Sequence, residues 1–164
     1  MNKESLRLRI YPDSALRERA QPVTRIDGFL EVLVQEMSDL MYRNQGIGLA
    51  APQVGFLQRL VIMDVGNGLL AMANPEMLHR EGSDNLEEGC LSLPDVLVDI
   101  DRDFAVTVKG LRPDGEEVRR DLDGLAARVM QHEIDHLDGR LIIDYATPVK
   151  KVLLKKQLKA LAQQ

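Results

Sequence analysis

In the segment His132-Glu133-Ile134-Asp135-His136, two histidines stand four residues apart and a glutamate directly follows the first. On a helix, positions i and i+4 lie one turn apart on the same face. Both imidazoles can therefore reach one metal ion, with Glu133 beside it to handle a water molecule. That spacing suits a metal hydrolase, although the five residues alone also fit a helix with one packed and one exposed histidine. A catalytic divalent metal typically has three protein ligands and an open position, so two histidines leave one ligand to find. Cys90, in Glu87-Glu88-Gly89-Cys90-Leu91-Ser92, could supply it as a thiolate. Core packing is the other reading of that cysteine, although Glu88 and Gly89 give it a polar, flexible flank. A third stretch, Gly46 to Gly55, has small residues that permit close approach of a ligand, and Gln53 within it offers an amide donor to a developing oxyanion. Taken alone, it also reads as a helix C-cap followed by a loop.

Elements must bring these residues together. Leu30, Leu33, Val34, Met37, Leu40 and Met41 recur at helical spacing, with Asp27 as a cap and Gly46 as a stop, which predicts a helix over roughly 27–44. Between Leu60 and Val118 come short apolar runs: Leu60–Met63, Leu69–Ala73, Val96–Ile100 and Phe104–Val108. The turn signals between them are Gly66, Asn67-Gly68, Asn74-Pro75, Gly82 and Pro113-Asp114-Gly115. Such punctuation predicts antiparallel strands joined by hairpins. Asp123-Gly124 opens a second helix, with Leu125, Val129, His132 and His136 on one face and a stop at Asp138-Gly139. A third helix follows Pro148, at about 149–162, with Val149, Val152 and Leu153 expected to anchor it to the body. The expected fold is α+β: antiparallel sheets around a central helix carrying HExxH, with N-terminal and C-terminal helices.

The length of 164 residues suits one domain, and no repeat or linker divides residues 1–164. The start, MNKESLRLRI, has no apolar signal core, and no run of about 18 apolar residues could cross a bilayer. One cysteine allows no intrachain disulfide and suits a reducing compartment. These features together predict a cytoplasmic protein. The net charge of −5 argues against broad nucleic-acid affinity. Yet from Tyr145 to Gln164 there are five lysines and no acid, so the tail could have a partner of its own.

The three segments, in this order, resemble those of the peptide deformylases. The glycine motif reads Gly46 to Gln53, the cysteine motif Glu88 to Ser92 and the histidine motif Gln131 to His136, and the likeness runs from Tyr11-Pro12-Asp13 to Asp144-Tyr145. The resemblance implies that Cys90, His132 and His136 hold the metal, and that Glu133 is general base and then general acid. It also implies that Gln53 and the Leu91 N–H stabilise the oxyanion as the formyl group leaves an N-terminal methionine. Fe²⁺ is the implied physiological metal, with Zn²⁺ or Ni²⁺ as alternative occupants. A peptide substrate would lie along the backbone near Gly48 and Gly89, and Ile47, Leu125 and Val129 would line the methionine pocket. The likeness further implies that the basic C-terminal helix docks on the ribosome; a monomer is expected.

Two positions depart from the bacterial pattern. Leu97 stands where many members carry an arginine that touches substrate. Arg128 stands four residues before His132, where an apolar pocket residue is common, so its stem would line the pocket while its guanidinium reaches solvent or an acidic partner. Arg102 reads as a surface arginine paired with a carboxylate. Two rival readings use the same residues. A zinc peptidase would need a downstream third ligand, and His79, the only other histidine, precedes the motif. A metal-stabilised binding protein would have no use for Glu133.

Overall fold

The computed structural model of the chain describes residues 5–164. Helix α1 (Gly28–Arg43) buries the apolar stripe read from its spacing, and the Asp27 side chain accepts the Phe29 N–H at its start. Its stop comes one residue before Gly46. Gln45 takes the left-handed conformation (φ 56), and the Gly46 N–H returns to the Met41 carbonyl.

Five antiparallel strands follow in spatial order β1 (Gly48–Ala50), β2 (Leu60–Met63), β3 (Leu70–Glu81), β6 (Ala105–Leu111) and β7 (Glu117–Asp123). Strands β4 (Asp84–Cys90) and β5 (Leu93–Arg102) form a separate antiparallel pair. The turn expected at Asn74-Pro75 is instead a bulge within β3. Asn74 adopts φ 51, and its side chain pairs with both backbone groups of Val23, so the strand bends and continues. The second half of β3, all of β4 and β7 are strands too polar to register as apolar runs.

Helix α2 (Gly124–Leu137) is buried around most of its circumference, with Ala127, Val129, Met130, Glu133, His136 and Leu137 all inside. Met130 and Leu137 join Val61, Met63, Met72 and Val108 of the large sheet, and each such side chain contributes about 1.5–3 kcal/mol by leaving water. Two residues past the end of the helix, Gly139 takes φ +73. A Cβ there would also stand 2.8 Å from the Arg17 carbonyl carbon, so glycine is needed for both conformation and space. Central placement of this helix between the large sheet and the β4–β5 pair matches the α+β architecture expected.

Helix α3 (Pro148–Leu161) starts where the Thr147 hydroxyl accepts the Lys150 N–H. Its anchor differs from the expectation. Val149, Val152 and Leu153 are 71%, 72% and 68% exposed, whereas Leu154 and Leu161 are buried against Leu93, Val96 and Val98 of β5. Helical apolar residues outnumber the positions the body can cover, and the side facing β5 selects the second set. Among the described residues, no helix is long and apolar enough to cross a membrane.

Candidate active site

The chemically interesting side chains come from three rigid elements. His132, Glu133 and His136 project from α2, Cys90 ends β4, and Gln53 lies on a 3₁₀ turn (Ala51–Val54) that follows β1. The ligand atoms of Cys90, His132 and His136 lie within 4.8 Å of one another. His136 Nε2 is 3.3 Å from His132 Nε2 and 3.4 Å from Cys90 Sγ. Tetrahedral coordination with metal–nitrogen bonds of about 2.0–2.1 Å and metal–sulfur bonds of about 2.3 Å sets edges of about 3.3 Å between nitrogens and about 3.6 Å between nitrogen and sulfur. The donor set therefore fits one transition-metal ion by both chemistry and spacing. His79 is exposed on β3, beside Glu81, and takes no part.

Glu133 is 3% exposed, and its Oε2 has no hydrogen-bond partner. Burial drives its carboxyl up to about 7, so near neutral pH it can both accept and return a proton. Gln53 is fixed from both ends: its Oε1 accepts the Ala50 N–H at 2.9 Å, which leaves Nε2 pointing to Ser92 Oγ at 3.1 Å and toward Cys90 Sγ at 3.6 Å. An amide N–H donor thus stands beside the donor cluster, held by its own turn.

A buried ionic network supports the cluster from behind. Glu88, one of the few charged residues inside, accepts from His132 Nδ1 at 2.8 Å and from Arg102 Nε and Nη2 at 2.9 and 3.0 Å. Burial pushes its carboxyl up, but hydrogen bonds and charge from His132 and Arg102 outweigh that and hold it at about 2. Arg102 also reaches Asp135 Oδ2 at 2.6 Å, and the Tyr145 hydroxyl donates to the same oxygen at 2.7 Å. Arg102 is therefore an interior residue, not the surface arginine expected. Arg128 is likewise 4% exposed, and of the two destinations considered for its guanidinium the structure selects the acidic partner, Glu88. In the sequence Glu88 reads only as a polar flank of Cys90, because its pairing with Arg128 and His132 across forty or more residues of chain leaves no local signal.

A cleft of about 660 Å³ opens in front of Glu133 and Cys90. Ile47, Gly48, Gly89, Leu91, Leu125, Arg128 and Val129 all line it, as do Leu86 and Pro94, which the sequence had not singled out. Leu97 does not; it is 45% exposed, with a methyl 3.2 Å from where a Cβ on Gly89 would stand.

An α+β frame that converges a cysteine, two histidines and an unpaired buried glutamate on one cleft defines a class of small hydrolase-like folds, and comparison with known proteins specifies which. Residues 5–152 match the family model described as polypeptide deformylase. The peptide deformylase of Thermotoga maritima is 48% identical over 158 residues, covering 96% of both chains. Among solved structures, that of peptide deformylase from Thermotoga maritima has 49% identity and a TM-score of 0.85, covering 87% of this chain and 98% of its own. A peptide deformylase from Legionella pneumophila has 36% identity and a TM-score of 0.91, covering 96% and 95%. The chain belongs to the polypeptide deformylase family and is an enzyme that removes an N-terminal formyl group.

Proposed function

We propose that the chain is a metal-dependent hydrolase, a single domain over residues 1–164, that removes the formyl group from the formyl-methionine of nascent polypeptides and releases formate. The observation that carries this reading is the convergence of the Cys90, His132 and His136 donor atoms beside the unpaired, buried carboxylate of Glu133. A divalent ion held by those three side chains would polarise the formyl oxygen and lower the pKa of a water toward neutrality. Fe²⁺ is the proposed physiological ion, with Zn²⁺ or Ni²⁺ as alternatives, since a thiolate with two imidazoles suits all three.

Glu133 takes the proton of the attacking water as its oxygen adds to the formyl carbon. Gln53 Nε2 and the Leu91 N–H stabilise the charge that collects on the former carbonyl oxygen. As the carbon–nitrogen bond breaks, Glu133 delivers the proton to the departing amine, so formate and a free methionine N-terminus leave. The substrate backbone runs along Gly48 of β1 and Gly89 of β4, both of which line the cleft. Ile47, Leu125, Val129 and the alkyl stem of Arg128 form the wall for the methionine side chain. The exposed lysines of α3 supply a basic surface for ribosomal phosphates, and the enzyme acts as a cytoplasmic monomer.

Glu133→Gln tests the reading, because it leaves the donor set whole and removes the proton carrier. Formate release from a formyl-methionyl peptide should fall about 10²- to 10⁴-fold with stoichiometric metal retained. Retained activity would refute the role of Glu133. An acetylated and an unmodified peptide assayed alongside should both be inert; cleavage of the unmodified one would favour a peptidase.

A further inference from the structure

The proton transfer and the pocket wall described above leave the buried guanidinium of Arg128 without a role. Arg128 donates from Nη1 to Glu88 Oε2 at 2.7 Å and to the Ile100 carbonyl at 2.9 Å, and from Nη2 to the Asp84 carbonyl at 2.6 Å. Those acceptors lie on β4 and β5, while Arg128 itself sits one helical turn before His132 on α2. A single planar guanidinium thus ties both strands of the small sheet to the helix, two residues from Cys90. Arg102 approaches the same carboxylate, but its Nη1 is also drawn to Asp135 at 2.6 Å and lies 3.4 Å from the Tyr145 hydroxyl. With Arg102 alone, Glu88 would be held by a group shared with a second acid.

We propose that Arg128 is a positioning residue for the metal site: it clamps Glu88 opposite Arg102, so that Glu88 fixes the ring of His132 with Nε2 turned to Cys90 and His136. This rests on reading those three residues as ligands. A carboxylate that accepts the distal N–H of a ligating imidazole sets its tautomer and orientation, and loss of such a partner costs about 10–100-fold in metal affinity or activity. Arg128 reaches the ligand through one intermediate, and of the two arginine side chains it alone also donates to a backbone carbonyl of the strand that ends in Cys90.

The test is the rate at which zinc-loaded enzyme releases its metal to an excess of chromogenic chelator, with thermal stability followed in parallel. Arg128→Met should release zinc about 10–100-fold faster. Arg128→Lys should release it faster than wild type but slower than the Met variant, since an ammonium can meet Glu88 but cannot bridge two carbonyls as well. In a Glu88→Gln background, Arg128→Met should add less than about threefold, because coupled residues are not additive. A folded Arg128→Met with lowered thermal stability but wild-type release would show a structural role only and overturn the inference. So would full additivity in the Glu88→Gln background. If Arg128→Met does not fold, Arg128→Lys decides alone, wild-type release again overturning the inference. Wild-type protein that holds no zinc would overturn the ligand assignment itself, and with it this role for Arg128.

Discussion

Gly48 offers a perturbation that should move Glu133 without touching a proposed metal ligand. A Cβ at this position would stand 2.7 Å from Val129 Cγ1 and 3.1 Å from Glu133 Cδ, and nearer still to Glu133 Oε1. Gly48 is not among the positive-φ glycines, so Gly48→Ala costs nothing in backbone conformation and acts through crowding alone. Carbon atoms prefer separations of about 3.5–4.0 Å, so the Val129 contact is short by roughly 0.8 Å. Val129 is 6% exposed and Glu133 3%, so the room open to either is the cleft that both line. Something inside must shift by most of that distance, and the unpaired carboxylate is the least restrained group. A misplacement of about 1 Å can cost about 10²-fold in rate. Overpacking should also remove about 1–3 kcal/mol of stability. Formate release from a formyl-methionyl peptide, metal content and thermal unfolding should be measured on the same preparation. The expected result is full metal loading, a lowered melting temperature and a loss in kcat of about 10²-fold. Activity close to wild type with metal in place would refute the claim that Glu133 must stand where Gly48 leaves room for it.

Other outcomes separate stability from chemistry. A Cβ on Gly110 would stand 2.7 Å from the Ala73 carbonyl oxygen and 2.8 Å from Met72 Sδ, so Gly110→Ala should lower the melting temperature while activity per folded, metal-loaded molecule stays unchanged; a selective loss of kcat would contradict this. Burial pushes the Asp144 carboxyl up, but Arg17, 2.7 Å away, and the Leu141 N–H outweigh it and hold it below its usual 3.8. The stabilisation from that pair is therefore present above pH 3.8 and lost as pH falls through the lower folded value. The stability difference between wild type and Arg17→Ala, followed by thermal unfolding across pH, should accordingly shrink in acid; a difference that grows would reverse the assignment. Reversing the charges of Lys151, Lys155 and Lys159, all exposed on α3, should weaken co-sedimentation with ribosomes and leave hydrolysis of short peptides intact. Equal pelleting at low salt would exclude the helix as the docking element. Because Leu154 and Leu161 hold α3 to β5, these substitutions should leave the melting temperature nearly unchanged.

Sequence alone determined the parts of this protein that are written in local periodicity. The stripe of α1, the start of α2 at Asp123-Gly124 and the i, i+4 spacing of His132 and His136 each depend on neighbours within about a turn, so they are legible in the sequence. The apolar strands were legible for the same reason. Polar strands were not: β4 and β7 form because their backbones pair with β5 and β6, and their side chains carry little of that information. The convergence of Cys90 on the two histidines is likewise tertiary, since His132 follows Cys90 by forty-two positions with three strands between them. Only the fold decided which apolar residues of α3 face β5, because helical spacing offers several stripes and the surface opposite selects one. It alone shows that Arg102 and Arg128 are interior, for an arginine's burial depends on finding an acid, and Glu88 lies fourteen residues from one and forty from the other. The site's residue types are therefore a property of the sequence, while the charges that hold them in place exist only where the β4–β5 pair meets α2.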